Sequence, residues 1–172
     1  MLDKINLASN SRWYWIFLLF TGITLEASAL FYQYVLGEPP CVLCIHVRIW
    51  VLGMVSLSLL ALILRKFKAG LLAAHILMTL IMTGLFERSY QLLGVERGFI
   101  FGSCSMDSGL PPWFSLDSWL PYVFKIWAAC GYTPELLFGI TMAEALIVLS
   151  AVLFLISCIL TIGLIVSYLR KA

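Results

Sequence analysis

Cys41-Val42-Leu43-Cys44 sets two thiols three residues apart, directly after Pro39-Pro40. That spacing serves either dithiol–disulfide interchange or metal ligation. Proline disfavours helix for the residue before it and is tolerated in a first helical turn, so a helix is expected to start here. Both sulfurs then sit at the positive end of a helix, where thiolate is favoured, and Arg48 follows Cys44 by four residues on the same face. Cys44 is the expected reactive thiolate. A disulfide within this motif closes a very small ring, strained and easily reduced, which suits turnover better than stapling. Covalent haem attachment requires C-x-x-C-H; here Ile45 follows Cys44 and His46 comes one position late.

Three further cysteines accompany the motif. Cys104 lies in Gly102-Ser103-Cys104-Ser105, a flexible and exposed context suited to thiol exchange. Cys130 follows in the same polar stretch, whereas Cys158 lies deep in an apolar run and reads as an inert small hydrophobe. A four-thiolate zinc site would need Cys104 and Cys130 to converge on the motif, and neither belongs to a second C-x-x-C, so no metal site is expected. His46 and His75 have no ligand-spaced partners.

Arg48 lies about two turns inside an apolar run, where an ionisable group is costly and reads as functional unless it snorkels to the headgroups. Beside an active thiol, its guanidinium can donate hydrogen bonds to a carbonyl oxygen that gains negative charge during reduction. A membrane-dissolved quinone carries that kind of oxygen. Glu26, midway along another apolar run, is either internal glue or a functional group; Glu144, near the end of the last run, reads as interfacial.

The elements that must position these groups follow from composition. Of the 172 residues, 62% are hydrophobic and 12% charged, with a mean hydropathy of +1.01; soluble domains carry about 25% charged residues. A soluble globular domain and a disordered chain are both excluded. The formal charge of +2 is too small for a nucleic-acid footprint, and five cysteines are few for a disulfide scaffold. A spanning helix needs about 20 apolar residues. Runs of that length cover about 13–36, 42–64, 70–93 and 140–169, leaving a long loop over about 94–139, all within one domain, 1–172. The expected fold is an all-α membrane protein, a four-helix antiparallel bundle. Ala27-Ser28-Ala29 resembles a leader cleavage site, but the run continues through Leu36 with Glu26 beside it, so a span is expected.

Lys4, Arg12, Arg65, Lys66, Lys68, Arg170 and Lys171 fall on the side of the termini, against Arg48, Arg88, Arg97 and Lys125 on the other. By the positive-inside rule the termini are cytoplasmic. Cys41, Cys44, Cys104 and Cys130 then face outward, where thiols pair. Four thiols allow three connectivities; proximity favours Cys41 with Cys44 and Cys104 with Cys130 without excluding the others. Within the loop, Trp119, Leu120, Val123, Phe124 and Trp127 recur at helical spacing, with Ser115 as cap and Asp117 in the first turn. A short helix along the membrane surface is expected there.

Together these residues resemble the disulfide bond formation protein B (DsbB) family of bacterial inner membranes, over essentially the whole chain. The resemblance rests on four spans, Cys41-Val42-Leu43-Cys44 at the outer end of the second, Arg48 just after it, and Cys104 and Cys130 in the long outer loop. It implies a protein-dithiol:quinone oxidoreductase that regenerates the periplasmic disulfide donor DsbA. By that resemblance, a DsbA thiol attacks the Cys104–Cys130 disulfide at Cys104, and Cys41–Cys44 reoxidises the resulting dithiol. Electrons then pass from Cys44 to ubiquinone or menaquinone near Arg48. The implied partners are a DsbA-like protein, the quinone pool and the bilayer, with no nucleic acid. DsbA, at about −120 mV, is too oxidising for a glutathione-like couple to regenerate, and a quinone is a stronger acceptor. Where some members carry a histidine near the outer end of the third span, this chain reads Glu87-Arg88-Ser89-Tyr90-Gln91.

Three other readings compete. A vitamin K epoxide reductase type would carry its reactive pair in a later helix. A disulfide-stapled membrane scaffold would not need Cys44 for function. A metal-binding module would copurify with zinc.

Overall fold

The computed structural model describes residues 7–101, 109–111, 115–137 and 139–170. Four long helices dominate: α1 (Arg12–Tyr34), α2 (Val42–Leu64), α3 (Lys68–Glu96) and, after the loop, α6 (Met142–Leu169). Their 23, 23, 29 and 28 residues reach or exceed the length needed to cross a hydrocarbon core of about 30 Å at about 1.5 Å per residue. A helix satisfies its own backbone groups, which is why such apolar runs adopt it in lipid. Phe20, Ile63, Leu80, Val148 and Ile162 are among the large apolar side chains left on the outer surface. In water that surface would be untenable; in a bilayer it is the solvated face. The protein is a multi-pass membrane bundle.

Local chemistry sets the helix ends. Ser11 caps α1 by accepting a hydrogen bond from Trp13 N at 3.2 Å. The chain leaves α1 through Gly37, at φ 73°, a left-handed conformation that glycine adopts without a Cβ penalty. The first helix accordingly ends at Tyr34, two residues before the apolar run does. At the start of α6, Thr141 and Glu144 form a reciprocal capping box. Glu144 also forms an ion pair with Arg97 at the end of α3, consistent with its expected interfacial place.

The main helix contacts follow chain order: α1 on α2, α2 on α3, and α3 on α6. One apolar core of Trp15, Leu18, Met54, Met78 and Leu153 fills the bundle toward the end that holds the termini. At that same end Tyr168 Oη donates to Lys68 O at 2.8 Å, and His75 Nε2 lies 3.0 Å from Ser9 O. Thr79 Oγ1 bonds Ser157 Oγ at 2.9 Å and Thr161 Oγ1 at 2.8 Å, tying α3 to α6 across the lipid-embedded interface.

Gly84 allows α3 to close on α2. A Cβ there would lie 2.5 Å from the Trp50 indole, a rigid ring that cannot yield locally. Gly84→Ala is expected to destabilise the bundle by about 1–3 kcal/mol through overpacking, read as a lower melting temperature in detergent by circular dichroism. A melting curve matching the parent would show that Trp50 moves aside freely.

The loop departs from expectation twice. In place of one surface helix there are two single turns, α4 (Leu116–Trp119) and α5 (Pro121–Phe124), broken at Leu120 with φ −132° and ψ 65°. The reason is Pro121, which pushes the preceding residue out of the helical region. Ser115 does precede the first turn, its carbonyl accepting from Ser118 Oγ at 2.9 Å. The second departure is a small antiparallel hairpin, β1 (Glu135–Leu137) with β2 (Ile140–Thr141), turning through Gly139 at φ 76°. It takes Ile140 and Thr141 out of the last helix.

Candidate redox centre at one end of the bundle

Because α2 begins at Val42, its N-cap is Cys41. The Cys41 sulfur accepts from Cys44 N at 3.2 Å. Cys41 is 2% exposed, whereas Cys44 is half-buried, and both are unpaired thiols in this structure. A hydrogen bond from the Cys44 thiol, followed by helix-end N–H groups, holds the Cys41 thiol below its ordinary pKa despite its burial. The sulfur that receives the helix end is thus Cys41, although the sequence singles out Cys44 as thiolate. The difference is one of register, since Pro40 leaves its successor in the capping position rather than the first turn.

Cys44 has a different environment. It lines a cavity of about 220 Å³ together with Arg48, Glu26 and Tyr32. The remaining wall is largely apolar and comes from all four long helices and the 130s loop, including Leu25, Val51, Leu92, Leu136, Leu146 and Leu149. The cavity occupies the gap left because α1 packs on α2 and makes no substantial contact with α6. About 150 Å³ suffices for a benzene-sized ring, so a substituted six-membered ring fits.

Arg48 does not reach for the headgroups. It is 6% exposed and donates from Nη1 to Gln33 Oε1 at 2.6 Å and to Val123 O at 2.8 Å, and from Nη2 to Ala29 O at 3.1 Å. One side chain thereby joins α1, α2 and α5. Gln33, which sequence reasoning missed, also donates to Tyr122 O at 3.2 Å. Its signal was its spacing: seven residues after Glu26, it lies on the same face of α1.

The loop brings Cys130 to this end. Trp127 N and Ala128 N both donate to Pro40 O, at 3.0 and 3.3 Å, and Ala128 forms a parallel bridge with Cys41. Cys41 and Cys130 pack into one apolar cluster with Phe124 and Ile126. Cys130 is itself disulfide-bonded. Cys104, expected opposite it, lies outside the described residues. Cys158 is a free thiol in α6, away from this cluster.

Other candidates separate from the site. Arg88 Nη1 donates to Gln91 Oε1 at 3.0 Å and Gln91 Nε2 to Glu87 Oε1 at 2.9 Å, and none of the three lines the cavity. Among the described residues no group of three or more His, Cys, Asp and Glu side chains is placed to hold a metal ion.

Comparison with known proteins finds relatives over most of the chain. A disulfide bond formation protein B of Aeromonas salmonicida is 30% identical over 168 residues, 95% of each chain. One from Shewanella denitrificans is 30% identical over 144 residues, 83% of this chain and 82% of its own. A Pseudomonas aeruginosa protein called disulfide bond formation protein B 2 is 34% identical over 137 residues, 78% of this chain and 80% of its own. The family described as disulfide bond formation protein DsbB matches residues 11–160. The four long apolar helices and this match over most of the chain establish that it belongs to the DsbB family of disulfide bond formation proteins.

Proposed function

We propose that the chain is a protein-dithiol:quinone oxidoreductase of a bacterial inner membrane, which reoxidises a DsbA-like periplasmic protein and passes the electrons to ubiquinone or menaquinone. The observation that carries this reading is the shared cavity: a thiol, a guanidinium and a carboxyl converge in an apolar space between two lipid-facing helices. Cavity size, apolar wall and the Arg48 donors fit a quinone head. A bound quinone supplies an acceptor for two electrons and two protons.

The chain's own groups account for the remaining steps. A partner thiolate attacks the disulfide of Cys104 and Cys130 at Cys104, and the Cys130 sulfur leaves. Cys130 attacks Cys41 of an oxidised Cys41–Cys44 pair, releasing Cys44 into the cavity wall; the backbone bonds from Trp127 and Ala128 to Pro40 bring the Cys130 segment against the cluster that holds Cys41. The partner's second thiol resolves the mixed disulfide, and the freed Cys104 reforms its bond to Cys130, returning Cys41 as a thiol. Cys41 and Cys44 are then a dithiol, from which two electrons and two protons leave through Cys44. Arg48 keeps donors toward the oxygen that gains charge, in a site from which water is largely excluded. The terminal lysines and arginines, together with Arg65, Lys66 and Lys68, support a cytoplasmic end opposite the cysteines.

The test is thiol consumption from a reduced DsbA-like protein by the purified protein, with and without ubiquinone. Turnover that depends on the quinone is the expected result. No turnover with folded, quinone-loaded protein and several partners, or stoichiometric zinc that disappears in the quadruple cysteine variant, would move the reading to a scaffold or a metal module.

A further inference from the structure

Glu26 sits near the middle of α1 and lines the cavity that holds Cys44 and Arg48. Its Oε1 is shut off from solvent and has no hydrogen-bond partner. Arg48, the guanidinium in the same cavity, directs its bonds to Gln33, Val123 and Ala29 instead. Among the described residues the ion pair is Arg97 with Glu144, so Glu26 is not neutralised by direct contact.

A buried carboxyl oxygen without a partner is destabilising, and an acidic side chain inside a spanning helix is retained for a reason. Internal glue would show a bond to a neighbouring helix, and this atom shows none. The cavity that Glu26 lines is instead the space where a redox acceptor fits. Converting two thiols to a disulfide releases two protons that must reach the acceptor's oxygens across an apolar wall. A carboxyl that holds one proton at a time supplies that transfer.

We propose that Glu26 is the proton carrier of the cavity: it gives a proton from its carboxyl to an oxygen of the bound quinone and is reprotonated by the Cys41–Cys44 thiols. This rests on the quinone reading above. For each cycle two S–H bonds break and one S–S bond forms; two electrons and two protons pass to the quinone, giving the hydroquinone, and Glu26 ends as it began. The titratable or charged groups that share its cavity are Tyr32, Glu38, Cys44, Arg48 and Tyr132, while α6 contributes only apolar residues.

The experiment uses the full chain in lipid nanodiscs with a short-chain ubiquinone. Quinone affinity is measured by equilibrium binding, disulfide formation by single-turnover stopped flow, and the carboxyl by infrared difference spectra of quinone reduction. Glu26→Gln, which keeps the side-chain shape, is expected to leave the quinone Kd within about threefold and to slow single-turnover oxidation by about tenfold or more. It should also remove a carboxyl C=O band that shifts in D₂O, and Glu26→Asp should restore part of the rate. The wild-type band and its D₂O shift test the proposal even if a variant folds poorly. A wild-type spectrum without a carboxyl band, or Glu26→Gln with the wild-type rate, would overturn it. So would a variant that loses affinity but reaches the wild-type rate at saturation, which would make Glu26 a binding group. Wild-type protein that neither binds nor reduces quinone would instead sink the cavity reading, and this proposal with it.

Discussion

Cys44→Ser is expected to abolish quinone-dependent thiol oxidation, lowering turnover at least about 10³-fold, as removal of a nucleophile that acts as part of a unit does. The argument is positional. Of the two thiols in the motif, only Cys44 lines the cavity, whereas Cys41 is buried as the helix cap. A hydroxyl at position 44 cannot form the disulfide through which electrons leave. Exchange should therefore stall earlier, with Cys130 left as a thiolate after the partner has attacked Cys104, since no Cys41–Cys44 disulfide is there for it to attack. Thiol alkylation and peptide mapping after exposure to the reduced partner would find Cys130 alkylated in Cys44→Ser and disulfide-bonded in the parent protein with quinone. Normal turnover in Cys44→Ser would remove Cys44 from the electron path.

Arg48→Ala is the second large expectation. Hydrogen bonds from a charged donor contribute about 1.5–3 kcal/mol each where desolvated, and Arg48 makes three, to Gln33, Val123 and Ala29. Loss of a donor aimed at a developing oxyanion costs about 10²–10³ in rate. The rate at a given quinone concentration is expected to fall about a hundredfold, while the cysteines still form disulfides under a chemical oxidant. Arg48→Lys should rescue little, because an ammonium cannot fork to three acceptors spread over α1 and α5. Quinone titration of the steady-state rate checks both variants, and unchanged quinone kinetics in Arg48→Ala would refute the assignment.

How far such a site can be read without coordinates depends on the range of its interactions. The long helices were legible because each is a run of apolar residues long enough to cross lipid, a signal that needs no neighbour. The motif and Arg48 were legible for the same reason, since Cys44 and Arg48 lie one turn apart on a single helix. Gln33 and Val123 were not: their roles exist only once α1, α2 and the loop have packed, at separations of 15 and 75 residues from Arg48. The hairpin of Glu135–Leu137 with Ile140–Thr141 is too short to show an alternating pattern. In the surface segment the opposite error arose. The periodic spacing of Trp119, Leu120, Val123 and Phe124 outweighed Pro121, and backbone sterics decided against it. The capping register at Cys41 is a subtler case, since a one-residue choice of helix start reassigns which sulfur receives the backbone donors.

The chain-ordered contacts of the bundle, α1 with α2, α2 with α3, α3 with α6, also bear on biogenesis. Each helix meets the partner it needs as soon as that partner has been synthesised, so the first three can assemble while the loop is still being made. The dithiol and Arg48 therefore reach their places on α2 early. The wall contributed by Leu146 and Leu149 arrives only with the final helix. Until α6 inserts, the nascent protein carries its two-cysteine motif beside an open flank, and the cavity beside Cys44 is closed only when that last wall arrives.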